Sequence, residues 1–147
     1  MSETTSSGIE RLLTIMQRLR DPQSGCPWDK DQTFATIAPY TLEEAYEVAD
    51  AIEREDWRDL KGELGDLLFQ VVFYAQMSKE NGWYDFDAIA HTMADKLQRR
   101  HPHVFADGEY HSHAELHIQW EARKKAEREQ RAQERGVNSD KTSEAIS

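Results

Sequence analysis

Two acidic clusters carry the chemistry that this sequence could do: Glu43-Glu44-Ala45-Tyr46-Glu47 and, after fifteen intervening residues, Glu63-Leu64-Gly65-Asp66. A helix turns by about 100° per residue, which places Glu43, Glu44 and Glu47 within an arc of roughly 100° and puts Glu63 and Asp66 about 60° apart. Ala45, Val48, Ala49 and Ile52 are expected on the opposite, inward side of the first helix. Two antiparallel helices facing each other would gather four or five carboxylates. Like charges at close range repel, and a desolvated cluster persists only with protons or cations bound. Hard oxygen donors of this kind suit Mg²⁺ or Mn²⁺. The plainer reading is a solvated glutamate face, with Thr41-Leu42-Glu43-Glu44 as a capping box at the helix start. Against it, no lysine or arginine lies between Glu43 and Ile52 to supply i,i+4 partners, and the second cluster adjoins the apolar run Leu64, Leu67, Leu68, Phe69, Val71, Val72, Phe73.

The elements that must position these acids follow from periodicity and punctuation. Residues 1–7 are Ser/Thr-rich and expected to be disordered. Ile9, Leu12, Leu13, Met16 and Leu19 mark a first helix ending near Arg20, stopped by Asp21-Pro22. Thr33 to Ala38 is read as a short helix broken by Pro39. The first acidic helix then runs from about Leu42 to Glu53 or Arg54, and Asp56 caps the next, which reaches about Lys79. Gly62 and Gly65 inside it imply close approach by another helix or a ligand, or ordinary tight packing. Asn81-Gly82 ends that helix. Asp85 caps another, with Ile89, Met93 and Leu97 on its inner face. Pro102 closes it, and Ser112-His113-Ala114-Glu115 fits a capping box for a last helix containing Leu116 and Trp120. The stretch 136–147 reads as a polar disordered tail, leaving one helical domain over 8–135. The helix over 60–77 is apolar nearly all round, with Phe69 and Val72 off the leucine stripe. A homodimer would cover the excess.

Composition narrows the classes. The 147 residues are the size of one domain, with 31% charged residues and a net charge of -10. Such a surface repels phosphate backbones and argues against nucleic-acid binding, although a divalent ion would let it hold a polyanionic nucleotide. The single cysteine, Cys26, allows no internal disulfide and fits a reducing compartment. No stretch reads as a signal peptide or a membrane span, so a cytoplasmic location is expected. His101, His103, His111, His113 and His117 raise a zinc site, but without a cysteine nearby they read better as surface residues.

The order E-E-x-x-E, fifteen residues, E-x-x-D resembles the signature of the MazG nucleotide pyrophosphohydrolases, all-α enzymes related to the dimeric dUTPases. Gly25-Cys26-Pro27-Trp28-Asp29 upstream, Lys96 to Phe105 downstream and Trp120-Glu121-Ala122-Arg123-Lys124 beyond it extend the similarity across Ile9 to Lys125. The resemblance implies an antiparallel bundle of four to five helices, forming a homodimer or a higher homo-oligomer. It also implies Mg²⁺-dependent hydrolysis of nucleoside triphosphates to the monophosphate and pyrophosphate, in nucleotide house-cleaning or regulation. Glu44, Glu47, Glu63 and Asp66 would hold the metal. Glu43, or alternatively Glu47, would orient or deprotonate the attacking water. Lys96, Arg99 and Arg100 would stabilise charge on the phosphates, and Lys124 would touch phosphate. Trp28 would stack on the base with Asp29 or Lys30 reading its edge, unless Trp28 plugs the end of the bundle. Many relatives carry two such domains, and this chain resembles the first. The alternatives are a non-catalytic, nucleotide-sensing or protein-binding helical dimer, and a purely structural four-helix bundle.

Overall fold

The Ile9–Leu12–Leu13–Met16 stripe forms a helix, α1 (Gly8–Leu19), started by the Ser7 side chain, which accepts from the Glu10 N–H. It is followed by α2 (Pro27–Lys30), α3 (Phe34–Glu53), α4 (Trp57–Glu80), α5 (Phe86–Arg100), α6 (Pro102–Phe105) and α7 (His113–Val137). This computed structural model describes residues 6–110 and 112–137, and among them the chain is all-α, without a strand. Residues 1–5 of the expected disordered N-terminus and most of the polar tail lie outside the described residues; Ser7 caps α1, and α7 continues to Val137. The expected domain over 8–135 divides into two compact units, one up to Ala90 and one from His91 onward.

The first unit is a bundle centred on α4, against which α1 and α3 both pack. Its core is Met16, Ile37, Val72, Phe73 and Met77, with Ile9, Leu12, Leu13, Phe34, Phe69, Tyr74 and Phe86 packed around it. Phe34 stacks between Tyr74 (5.9 Å) and Trp83 (5.7 Å), tying the start of α3 to the end of α4.

Three expectations change. The helix does not break at Pro39: α3 runs unbroken from Phe34, opened by a reciprocal Thr33–Thr36 capping box. Pro39 forfeits only the hydrogen bond to the Ala35 carbonyl, and continuing the helix buries Ile37 completely. Thr41 is therefore no cap. It sits mid-helix, its hydroxyl bonded to Gln70 Oε1 at 3.1 Å and to the Tyr74 hydroxyl. Of the inward set expected on α3, Val48 alone faces the bundle. Ala45, Ala49 and Ile52 are exposed, whereas Ile37, Thr41, Glu44, Val48 and Ala51 face the bundle. On α4 the uncovered apolar residues are Trp57, Leu64, Leu68 and Val71; Val72 is buried and Phe69 is half-buried. Neither Gly62 nor Gly65 has an atom within 4 Å of where a Cβ would sit, so tight packing within this chain does not explain them.

Asp56 caps α4 as expected, accepting from the Asp59 N–H, and Asn81-Gly82 ends it with Gly82 at φ 74°. Asp85 caps α5 through the Ala88 N–H, and Ser112 Oγ accepts from the Glu115 N–H at the start of α7. Of the inner face expected on α5, Ile89 is half-buried while Met93 and Leu97 are exposed.

In the second unit Arg100 is the buried strut. It is 8% exposed, lies over the Trp120 ring at 5.3 Å, and forks onto the Glu127 carboxylate of α7 (2.9 and 3.2 Å). Arg123 returns a bond to the Arg100 carbonyl at 3.0 Å.

Phe73 has no solvent exposure. Phe73→Ala is expected to lower unfolding stability by about 3–5 kcal/mol, seen as a lower urea midpoint at unchanged slope.

Candidate metal and nucleotide site

The turn over Arg54–Asp56 sends α4 back alongside α3, and this brings Glu44 opposite Glu63 and Asp66. One carboxylate oxygen from each of the three lies within 4.8 Å of the others. Glu44 Oε2 is buried and has no hydrogen-bond donor among the described residues. A buried polar oxygen is nearly always paired, so an orphan beside two more carboxylates is a place where a proton or a cation would be held. The Glu44 carboxyl is pushed up to about 7, first by lost hydration, then by the Glu63 carboxylate within proton-sharing reach and the charges of Asp66 and Glu47. The donor set is all oxygen and fits Mg²⁺ or Mn²⁺ in kind. Among the described residues this is the one group of three or more acids, histidines or cysteines so placed; His111 lies outside them.

Not every acid of the two clusters joins it. Glu47 lies outside the close group but near enough for its charge to act on Glu44, and Glu43 is exposed. Asp50 is claimed by Arg54, which also holds Asp56 and Asp59 (2.8, 3.3 and 2.6 Å). That surface network has its cation already. The Glu44 cluster has none.

Trp28, on α2, does not plug the bundle. It is 50% exposed and stands edge-on to the half-exposed Tyr40 of α3, ring centres 6.1 Å apart at 72°. Asp29 is buried. The Lys30 ammonium donates to the Pro22 carbonyl at 3.3 Å and lines a cleft of about 670 Å³ with Arg20, Asp21, Asp31 and Glu80. What holds this segment is a residue that sequence reasoning missed. Arg20 Nη1 donates to the carbonyls of Asp29, Lys30 and Gln32 (2.8, 3.2 and 2.9 Å), and its other edge clasps Glu80. The Arg20 charge holds the Glu80 carboxyl below its usual range. Nothing local to Arg20 signals this, since its partners lie 9 to 60 positions away.

Lys96, Arg99, Arg100 and Lys124 fall in the second unit. Arg99 is exposed and shares Glu127 with Arg100, donating at 2.9 Å; the pair holds Glu127 well below the ordinary carboxylate range, Arg100 most strongly. Lys96 is half-buried, and Lys124 lies 3.7 Å from Glu121. Glu127 was also missed, one acid among the many charged residues of α7.

Paired helices that converge their carboxylates on one buried oxygen define an all-α domain built around an acidic cluster. The MazG nucleotide pyrophosphohydrolase domain matches residues 32–105, and the chain belongs to that family. It is 68% identical over 125 residues to the nucleoside triphosphate pyrophosphohydrolase of Escherichia coli K12, covering 85% of this chain and 48% of that protein. It is 44% identical over 113 residues to the Thermotoga maritima nucleoside triphosphate pyrophosphohydrolase/pyrophosphatase MazG, covering 77% of this chain and 42% of that protein. The chain thus spans about half the length of these curated relatives. The crystal structure of a mazG-related protein from Thermotoga maritima superposes with a TM-score of 0.62 at 30% identity, over 79% of this chain and 98% of that one.

Two outcomes follow from the charges. Between 4.5 and about 7 the folded state keeps a proton on Glu44 that the unfolded state has released. Metal-free stability is therefore expected to fall as pH rises through that window, by on the order of 1 kcal/mol once solvent screening is allowed for. Thermal melts in chelator near pH 5 and pH 8 check this, and Glu44→Gln should flatten the dependence. Glu127→Ala strands the Arg100 guanidinium and is expected to cost about 3 kcal/mol in denaturant unfolding.

Proposed function

We propose that this chain hydrolyses nucleoside triphosphates to the nucleoside monophosphate and pyrophosphate. The observation that carries the reading is the buried, unpartnered oxygen of Glu44 between Glu63 and Asp66. The names of its relatives, nucleoside triphosphate pyrophosphohydrolases, support it. Glu44, Glu47, Glu63 and Asp66 would hold Mg²⁺ or Mn²⁺. When bound, the ion neutralises phosphate charge and lowers the pKa of water. Glu43, exposed on the same helix, orients the water and takes its proton, with Glu47 as the alternative base. The water oxygen bonds to the α-phosphorus, the bond to the bridging oxygen breaks, and pyrophosphate leaves with that oxygen. Lys96, Arg99 and Lys124 offset the charge that develops on the phosphates, and Arg100, buried and paired with Glu127, holds the end of that helix in place. Trp28, Asp29 and Lys30 contribute to the base end of the substrate.

The reading extends to assembly and setting. Tyr46, Ile52, Leu64, Leu68 and Val71 are exposed, and the space beside Gly62 and Gly65 is open, which favours a homodimer across this face. No described helix is long and apolar enough to cross a membrane. A free Cys26 suits the reducing cytoplasm, where removing unwanted triphosphates or tuning their supply is the role that fits. A second reading, a nucleotide-sensing module without turnover, is favoured by one observation: Glu127 already occupies Arg99 and Arg100.

Pyrophosphate release from each NTP and dNTP with Mg²⁺ separates the two. Turnover is expected, lost on chelation and reduced at least about 100-fold in Glu47→Gln, Glu63→Gln and Asp66→Asn. A wild type that is inert with every divalent ion, yet melts higher with nucleotide, would establish the sensing module instead.

A further inference from the structure

We infer that Tyr40 binds the nucleobase, forming with Trp28 an aromatic corner at one end of the carboxylate site. This rests on the reading of that site as a triphosphate site, and it names a residue that the acidic and basic motifs leave out.

Three observations carry it. First, Tyr40 and Trp28 are 46% and 50% exposed and meet edge to face at 72°. Two large rings at a steep angle leave a concave corner where a planar base can stack on one ring while its rim meets the other. Second, the corner is pre-built. Arg20 grips the carbonyls of Asp29, Lys30 and Gln32, just after Trp28, Gln32 Nε2 holds the Trp28 carbonyl at 2.8 Å, and a Cβ at Gly25 would come within 2.4 Å of the Leu19 carbonyl, so the loop closes only with glycine there. An idle surface indole needs no such frame. A ligand platform does, because rigidity spares the ordering cost of binding. Third, the register is right. Tyr40, Glu44 and Glu47 are spaced i, i+4, i+7 and fall within about 60° on α3, with Tyr40 about 6 Å along the axis from Glu44. A nucleotide has its ribose as the spacer between base and α-phosphate, a reach of the same order. The phosphates at the carboxylates then leave the base beside Tyr40.

The Tyr40 hydroxyl makes no hydrogen bond among the described residues, so the ring face is the working part. Tyr40→Phe should therefore behave as wild type, and Tyr40→Ala should weaken binding of a nucleoside triphosphate about 10-fold. Titration calorimetry with Mg²⁺ compares an NTP with inorganic triphosphate, which has phosphates but no base. The expected result is a loss confined to the NTP, with inorganic triphosphate binding and melting temperature unchanged. In the pyrophosphate assay the same change should raise KM for the NTP and leave kcat within about twofold. Equal weakening of both ligands, no weakening of either, or a wild type that binds the NTP no better than inorganic triphosphate would overturn the assignment. If wild type binds NTP but does not turn it over, the hydrolase reading fails while the calorimetric comparison still decides the role of Tyr40.

Discussion

The structure turns on one uncompensated oxygen. Glu44 occupies a position on the inward stripe of α3 that its neighbours in the stripe, Ile37, Val48 and Ala51, would lead one to fill with an apolar side chain. A carboxylate there loses water and faces two more carboxylates from α4. Each of these pushes the same way, toward holding a proton or a cation. The alternative, an apolar residue, would pack more cheaply, and the proposed cation site accounts for the acid in its place. The helix pair exists to hold this arrangement, because a short turn and a shared register set Glu44 against Glu63 and Asp66.

The surroundings keep that frame from relaxing. The Thr41–Gln70–Tyr74 contacts pin α3 to α4 one turn from Glu44. The Tyr74–Phe34–Trp83 stack fixes the start of α3 to the end of α4. Arg20, bound to Glu80 and to the carbonyls of the Trp28 segment, makes a loop behave as part of the scaffold. In the second unit Arg100 and Glu127 do the same for α5 and α7. Cation and carboxylate are used in two ways in this chain. Arg20–Glu80 and Arg100–Glu127 are complete pairs that hold structure, and Glu44, Glu63 and Asp66 have no cationic partner among the described residues.

Much of this was legible in the residues. The two acidic clusters at helical spacing, the stripe of α1 and the caps at Asp56, Asp85 and Ser112 stand where patterning places them. The inward face of α3 was not, because periodicity marks faces without saying which one a tertiary contact selects. Glu44 and Thr41 lie on the buried stripe, whereas Ala45, Ala49 and Ile52 look more suitable and stay exposed. Pro39 misled for a related reason: one lost hydrogen bond is small beside the burial of Ile37 and the Phe34 stack. Arg20 and Glu127 act through partners distant in sequence, where no local pattern reaches. Tyr40 was visible only as one more aromatic until the fold set it against Trp28.

Direct Mn²⁺ binding, followed by the loss of the free-ion paramagnetic resonance signal, tests the central claim most simply. Wild type is expected to bind the ion saturably, and Glu44→Gln, which keeps the shape of the side chain, is expected to abolish that binding. Equal binding by the two proteins, or none by wild type, would contradict a cation held among Glu44, Glu63 and Asp66.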